Sequence, residues 1–249
     1  MSGDLISLRM LLVAASPSDQ MVWRKGAALA SVPIEFDVAD TGRAACKALG
    51  KGGVDICIID SRLAAGEMTT VLQAARAIVP SPFVVVSGPG RKARLEGSDG
   101  ALLKPTSEED ARKLVEICIK MKVPTRVLIV DDSSTIRSIV RKILSASRFA
   151  MQCHEAEEGA GALNQLRKGN FGMVFLDYNM PGLNGVETLS EIKRATPNVA
   201  VVMMTSKLDD ALAARARAAG ALAFLKKPFF PADIDAVLGH YYGVSPPPK

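Results

Sequence analysis

The 249-residue sequence predicts two doubly wound α/β units in tandem, each built on a five-stranded parallel sheet. Three observations carry that prediction. Short, nearly continuous apolar runs alternate with helix-length periodic segments, as expected for parallel strands buried between covering helices. The pattern is written twice: Leu11-Leu12-Val13-Ala14-Ala15-Ser16 recurs 117 residues later as Leu128-Ile129-Val130-Asp131-Asp132-Ser133, and the same offset carries Ile58-Ile59-Asp60 onto Phe175-Leu176-Asp177. Each copy is also long enough, at roughly 120 residues, to bury a core of its own.

In the first copy strands are expected near 8–13, 34–38, 54–59, 82–86 and 100–103. Ser107-Glu108-Glu109-Asp110 reads as a capping box opening the last helix, with Lys120 and Lys122 placed favourably at its far end. Pro124 stops that helix, and the next strand begins at Arg126 or Val127. In the second copy strands are expected at 126–130, about 151–155, 173–176, 199–204 and 221–225. Ile136, Ile139, Val140, Ile143 and Leu144 recur at helical spacing behind Ser133 or Ser134, either of which can cap. Leu208–Ala219 is an Ala-rich helical stretch ended by Gly220 as a left-handed stop. Domains are therefore placed at 1–122 and 126–243, with 244–249 a tail too short for an effector domain. Five strand–helix units per copy suit the flavodoxin-like sheet of strand order 2-1-3-4-5, whose sites lie at strand carboxyl ends where the order reverses.

Bulk properties exclude several classes. The net charge of +5 is mild and dispersed, not the clustered basic stripe of a nucleic-acid binder. Four cysteines (Cys46, Cys57, Cys118, Cys153) lack C-x-x-C spacing and sit among apolar residues, which predicts buried free thiols in a reducing compartment. The apolar run Leu8–Ala15 is too short for a signal peptide, and no stretch is long enough to span a membrane. The expectation is a cytoplasmic protein without nucleic-acid or membrane partners.

The second copy alone gathers acids. Asp131, Asp132 and Asp177 end neighbouring strands and would repel one another unless a cation joined them; such an oxygen-rich site suits Mg²⁺. An aspartate there is also a potential nucleophile toward phosphorus, and Thr205 and Lys227 supply a hydroxyl and a cation for phosphoryl oxygens. Ser206 beside the threonine is small enough to leave the group accessible. Taken singly, Asp-Asp is an ordinary helix cap, Asp-x-Asn-Met-Pro-Gly a turn, and Phe224 a core residue. Their joint order on one scaffold is what points to a site.

Val130-Asp131-Asp132-Ser133, Asp177-Tyr-Asn-Met-Pro-Gly-Leu-Asn-Gly185, Met204-Thr205-Ser206 and Lys226-Lys227-Pro228-Phe229 together resemble a response-regulator receiver domain, over residues 126 to about 242. The resemblance implies Asp177 as phosphoacceptor, with Asp132, Asp177 and the Asn179 backbone carbonyl holding Mg²⁺ and Asp131 acting mainly through bound water. It implies Thr205 and Phe224 as a hydroxyl–aromatic switch, Lys227 as partner of the phosphoryl oxygens, and a cis Lys227-Pro228 bond. The first copy resembles a degenerate receiver. Ala14 and Ala15 replace the acidic pair, Asp60 is left without metal-binding partners, and Ser87 and Lys104 remain. Its interval from Ser87 to Lys104 is 17 residues, against 22 from Thr205 to Lys227, so its fourth helix is clipped and Arg91–Gly100 reads as loop. Arg62 or Lys104 is expected to pair with Asp60 in place of a metal.

The resulting expectation is a two-component or phosphorelay response regulator without an output domain. Its second copy takes phosphoryl from a histidine kinase or histidine phosphotransfer protein and signals through a downstream protein contact, catalysing only its own phosphorylation and dephosphorylation. His154 and His240 lack a kinase-like context, so the donor is another protein. The first copy is left with docking, dimerisation or sensing of the second. Two alternatives stand beside this reading. One is a regulatory pair within a larger enzyme such as a diguanylate cyclase, although no Gly-Gly-Asp/Glu-Glu-Phe signature occurs. The other is a haloacid-dehalogenase-type phosphatase, disfavoured because Asn179 stands where its second Asp belongs.

Overall fold

The computed structural model describes residues 8–90, 95–180, 185–207 and 210–244. Pro181–Asn184 of the Asp177 motif, the first four residues of the expected Arg91–Gly100 loop, Leu208, and the tail beyond Val244 lie outside the described residues. The chain divides into two compact units between Lys122 and Val123, the second reaching Tyr241.

The first unit runs β1 (Leu8–Val13), α1 (Pro17–Ala28), β2 (Ile34–Ala39), α2 (Gly42–Leu49), β3 (Ile56–Asp60), α3 (Ala65–Arg76), β4 (Phe83–Gly88), β5 (Gly100–Leu103) and α4 (Glu108–Lys122). The second runs β6 (Thr125–Val130), α5 (Ser134–Ala146), β7 (Met151–Ala156), α6 (Gly159–Lys168), β8 (Met173–Asp177), α7 (Gly185–Ala195), β9 (Ala200–Thr205), α8 (Asp210–Ala218), β10 (Ala223–Lys226) and α9 (Pro231–Tyr242). Each sheet is parallel, with orders β2-β1-β3-β4-β5 and β7-β6-β8-β9-β10. Strand order reverses between β1 and β3, and between β6 and β8, which opens a crevice at their carboxyl ends.

Burial explains the strand sequences. Central strands β3 and β8 are buried at every residue, whereas β2 and β7, at the sheet edges, are mostly part-exposed. Leu11, Val13 and Ile59 anchor one core under Leu49, Val71 and Leu72; Leu128, Val130, Val174 and Leu176 anchor the other under Leu189 and Ile192. Caps set the helix starts. Ser133 Oγ accepts from the Ile136 N–H at 3.4 Å. At α4, Ser107 Oγ accepts from Asp110 N–H at 3.1 Å, but the reciprocal arm of the expected box reaches one residue further, to the Thr106 hydroxyl at 2.8 Å. Gly220 closes α8 with φ +94°, in the left-handed region.

The clipped interval of the first unit has a definite outcome: among the described residues no helix joins β4 to β5, while α8 joins β9 to β10. One expectation needs correcting. All four cysteines are free, but only Cys57 and Cys118 are buried; Cys46 and Cys153 are part-exposed, because each lies on a partly exposed element, α2 or the edge strand β7. Burial pushes the Cys57 and Cys118 thiols up to about 12, so neither is a ready nucleophile.

Helices α1 and α4 approach closely at Gly26, where an added Cβ would lie 2.4 Å from Ala111 Cβ and 2.7 Å from the Arg112 backbone nitrogen. Alanine would gain about 1 kcal/mol of helix propensity, but overpacking against backbone costs about 1–3 kcal/mol. Gly26→Ala is therefore expected to lower the unfolding midpoint of the first unit by several degrees in a calorimetric scan; a rise would mean the helices separate without penalty.

Candidate functional site

Residues at two adjacent strand ends build the second unit's site. Val130 pairs with Leu176, so Asp131 and Asp177 each stand one residue beyond a shared register position. Asp131 and Asp177 are buried while Asp132 faces solvent, and one carboxylate oxygen from each of the three lies within 4.8 Å of the others. Asp131 is also held locally: its Oδ1 accepts the Ser133 N–H at 3.0 Å as the chain turns into α5. Lys227 arrives from beyond β10, positioned by its N–H donating to Thr205 O at 2.7 Å, and its bond to Pro228 is cis. Its Nζ donates to Asp131 Oδ2 at 2.7 Å and Asp177 Oδ1 at 2.8 Å.

Three carboxylates against one ammonium leave a formal charge of two negatives. Opposed ligands of Mg²⁺ stand roughly 4.2 Å apart, and the ion binds through one or two carboxylates while keeping waters. The cluster's oxygens, all within 4.8 Å of one another, suit the donor set of such an ion. Burial, partly opposed by Lys227, raises the Asp177 carboxyl above the ordinary aspartate range. For Lys227 burial acts downward, but its bonds to Asp131 and Asp177 more than offset this and its pKa rises.

The loop after Asp177 explains one glycine. Tyr178 N–H donates to Met204 O at 2.8 Å and Gly185 N–H to Tyr178 O at 3.0 Å, bringing the start of α7 so close that a Cβ on Gly185 would lie 2.6 Å from Asp177 O. Asn179 is exposed two residues past Asp177. Thr205 is buried, and its hydroxyl donates to Lys207 O at 2.8 Å instead of reaching the carboxylates. Phe224 is half-buried against the core, with the Arg217 guanidinium 5.7 Å from its ring centre.

The corresponding place in the first unit is closed by its own cations. Asp60 pairs in register with Ser87. Arg62 folds back over it, its backbone N–H donating to Oδ1 at 2.9 Å and its guanidinium to both oxygens at 3.2 and 3.0 Å. Lys104 Nζ lies 3.3 Å from Asp60 Oδ2 and 2.6 Å from Asp19 Oδ2, and Arg62 pairs with Asp19 as well. Both expected cations thus engage Asp60, and a second carboxylate completes a formally neutral quartet. Ala15 lines the pocket beside Asp60 and Arg62 without contributing a ligand, Ala14 is buried, and Ser87 Oγ is buried with no hydrogen-bond partner.

Two participants escaped the sequence reading. Asp19 looks like the acidic member of a Ser16-x-x-Asp19 cap, and Ser16 Oγ does accept from its N–H at 3.5 Å; its carboxylate, however, turns to Arg62 and Lys104. Arg137 is buried on the same stripe of α5 as Val140 and Leu144. The spacing 137, 140, 144 was a readable signal for a buried, and hence partnered, arginine.

The family model for the response regulator receiver domain matches residues 127–238. Chemotaxis protein CheY-3 of Vibrio cholerae serotype O1 is 37% identical over 106 residues, covering 42% of this chain and 81% of that protein. Transcriptional regulatory protein ResD of Bacillus subtilis is 34% identical over 112 residues, 44% of this chain and 45% of ResD, so the match spans less than half of that relative. A solved structure of a probable two-component system response regulator/GGDEF domain protein shares the fold over 95% of this chain and 98% of its own, at 22% identity and a TM-score of 0.55.

A raised carboxyl pKa has a defined sign. The folded state holds the Asp177 proton more tightly than the unfolded chain, so ionising it costs stability as pH rises from the ordinary aspartate value through the raised one. In metal-free buffer the Asp177 carboxyl carbon is expected to titrate, by NMR, above about 3.9. Lys227→Met, which removes the opposing cation, should move that midpoint further up; a downward move would show that the lysine does not stabilise the carboxylate.

Proposed function

The chain belongs to the response-regulator receiver family, and on that premise we propose that its second unit is the phosphorylated switch of a two-component or phosphorelay system. It accepts a phosphoryl group on Asp177 from a histidine kinase or histidine phosphotransfer protein. The observation that carries this reading is the convergence of Asp131, Asp132 and Asp177 within 4.8 Å, two of them bonded to Lys227.

An ionised Asp177 oxygen attacks phosphorus in line with the donor imidazole; the P–O bond forms as the P–N bond breaks, and the imidazole leaves with the electron pair. Asp132, Asp177 and the Asn179 carbonyl would hold Mg²⁺, with Asp131 acting through water. That ion supplies charge neutralisation for the phosphoryl oxygens. Lys227 remains cationic at neutral pH and exchanges its carboxylate partners for a phosphoryl oxygen. The Thr205 hydroxyl exchanges the Lys207 carbonyl for another, and the space it leaves admits Phe224. Hydrolysis of the aspartyl phosphate resets the site. The chain thus performs only its own phosphorylation and dephosphorylation, and passes its state on through contacts with a downstream protein.

The first unit is a pseudo-receiver in this reading. Its neutral quartet of Asp19, Asp60, Arg62 and Lys104 leaves no charge for a metal to balance. A cytoplasmic place of action goes with the proposed phosphodonor; no helix among the described residues is long and apolar enough to cross a membrane. A regulatory role beside an attached cyclase is the competing output, and the intact mass of the native protein decides it.

Incubation with a small phosphodonor and Mg²⁺, followed by intact mass measurement, tests the assignment. Wild type and Asp60→Ala are expected to gain one phosphoryl group each, and Asp177→Ala none. Label surviving in Asp177→Ala, or lost in Asp60→Ala, would sink it.

A further inference from the structure

We infer that Arg137 is the positioning residue for the acidic pair, setting the metal affinity of the second unit without touching the metal. The inference deepens the magnesium reading above and rests on it.

Arg137 lies on the first turns of α5 and is 7% exposed. One arm of its guanidinium donates to Asp131 O at 2.9 Å and Asp132 O at 3.4 Å. The remaining donors go outward, Nε to Glu155 Oε2 at 3.0 Å and the other arm to Glu157 Oε1 at 2.8 Å. These bonds fix the backbone of both aspartates at the point where the chain leaves β6. They also tie that backbone to the end of β7, on the far side from Asp177. A rigid fork with several donors is suited to bridging two carbonyls and two carboxylates at once, and lysine is not.

The internal repeat supplies an independent control. Subtracting the offset of 117 from Arg137 gives Gln20, whose Nε2 donates to Ala14 O at 2.7 Å. Ala14 is the counterpart of Asp131. Both copies therefore use the same helical position to hold the strand-end carbonyl. Where the acids are missing, a neutral amide with one bond suffices; where two carboxylates must be aimed at a cation, the position carries an arginine bonded to both carbonyls. Groups that orient metal ligands from behind typically contribute about 10–100-fold to affinity.

The sign of the effect separates positioning from simple electrostatics. A guanidinium beside a cation site repels the incoming cation, so if Arg137 acted only through its charge, removing it would tighten Mg²⁺ binding. If it positions the ligands, binding weakens. Mg²⁺ titrations of the full chain by calorimetry at low ionic strength, with circular dichroism to verify folding, decide the matter. Arg137→Lys keeps the charge and loses the fork; Arg137→Gln reproduces the first copy's single bond and loses the charge. Both are expected to weaken Mg²⁺ about 10-fold or more. Glu157→Gln, at an exposed residue that leaves the fold intact, is expected to weaken it less but in the same direction. Unchanged or tighter binding in folded Arg137→Lys and Arg137→Gln would overturn the inference while leaving the magnesium reading standing. A wild-type chain that takes up no Mg²⁺ would overturn both.

Discussion

Carboxylates gathered at the carboxyl ends of the parallel strands, in the first unit Asp60 joined by Asp19 of α1, must be neutralised, and the way each unit meets that requirement organises everything around it. The topology sets the meeting place: β1 and β3, like β6 and β8, are paired neighbours at the point where strand order reverses, so whatever follows them is brought together. In the second unit three carboxylates converge, a single lysine is bonded to two of them, and two formal negative charges remain. In the first, two carboxylates meet two cations and none remain. The backbone solution is shared; the difference lies in side-chain charge, and the proposed division of labour follows from it.

The second unit keeps its excess charge under tension. Asp177 is buried, its proton held more tightly than in solvent, and only partly relieved by Lys227. Such a group is poised to gain from any cation that enters, consistent with the perturbed carboxyls found at reactive sites. Around it the chain is immobilised at several points: the cap of Ser133 on α5, the Arg137 fork behind the aspartate pair, and the close approach of Gly185 to the Asp177 carbonyl. Thr205 and Lys227, by contrast, hold the partners that the proposed phosphorylation would exchange.

Much of this was legible in the sequence because it rests on local patterns. Apolar runs located the strands to within a residue or two, and the repeat located Asp60 against Asp177 before any geometry was known. Arg62 and Lys104 were identifiable as candidate partners of Asp60 since one follows it closely and the other ends the matching strand. What remained hidden depended on side-chain direction. Asp19 has the spacing of a helix cap and serves as an ion-pair partner across the crevice. Gly185 stands in the sequence only as the last residue of a motif, whereas its lack of a side chain is required by backbone 2.6 Å away. Whether Thr205 faces the carboxylates or its own loop is a rotamer choice that no sequence pattern encodes.

The quartet in the first unit also differs from a bound ion in kind. A guanidinium carried two residues along the same chain from its carboxylate cannot be diluted away or removed by a chelator, because it is tethered to its partner covalently. The first unit thus carries its counter-charge from the moment it folds, whatever the supply of divalent ions around it.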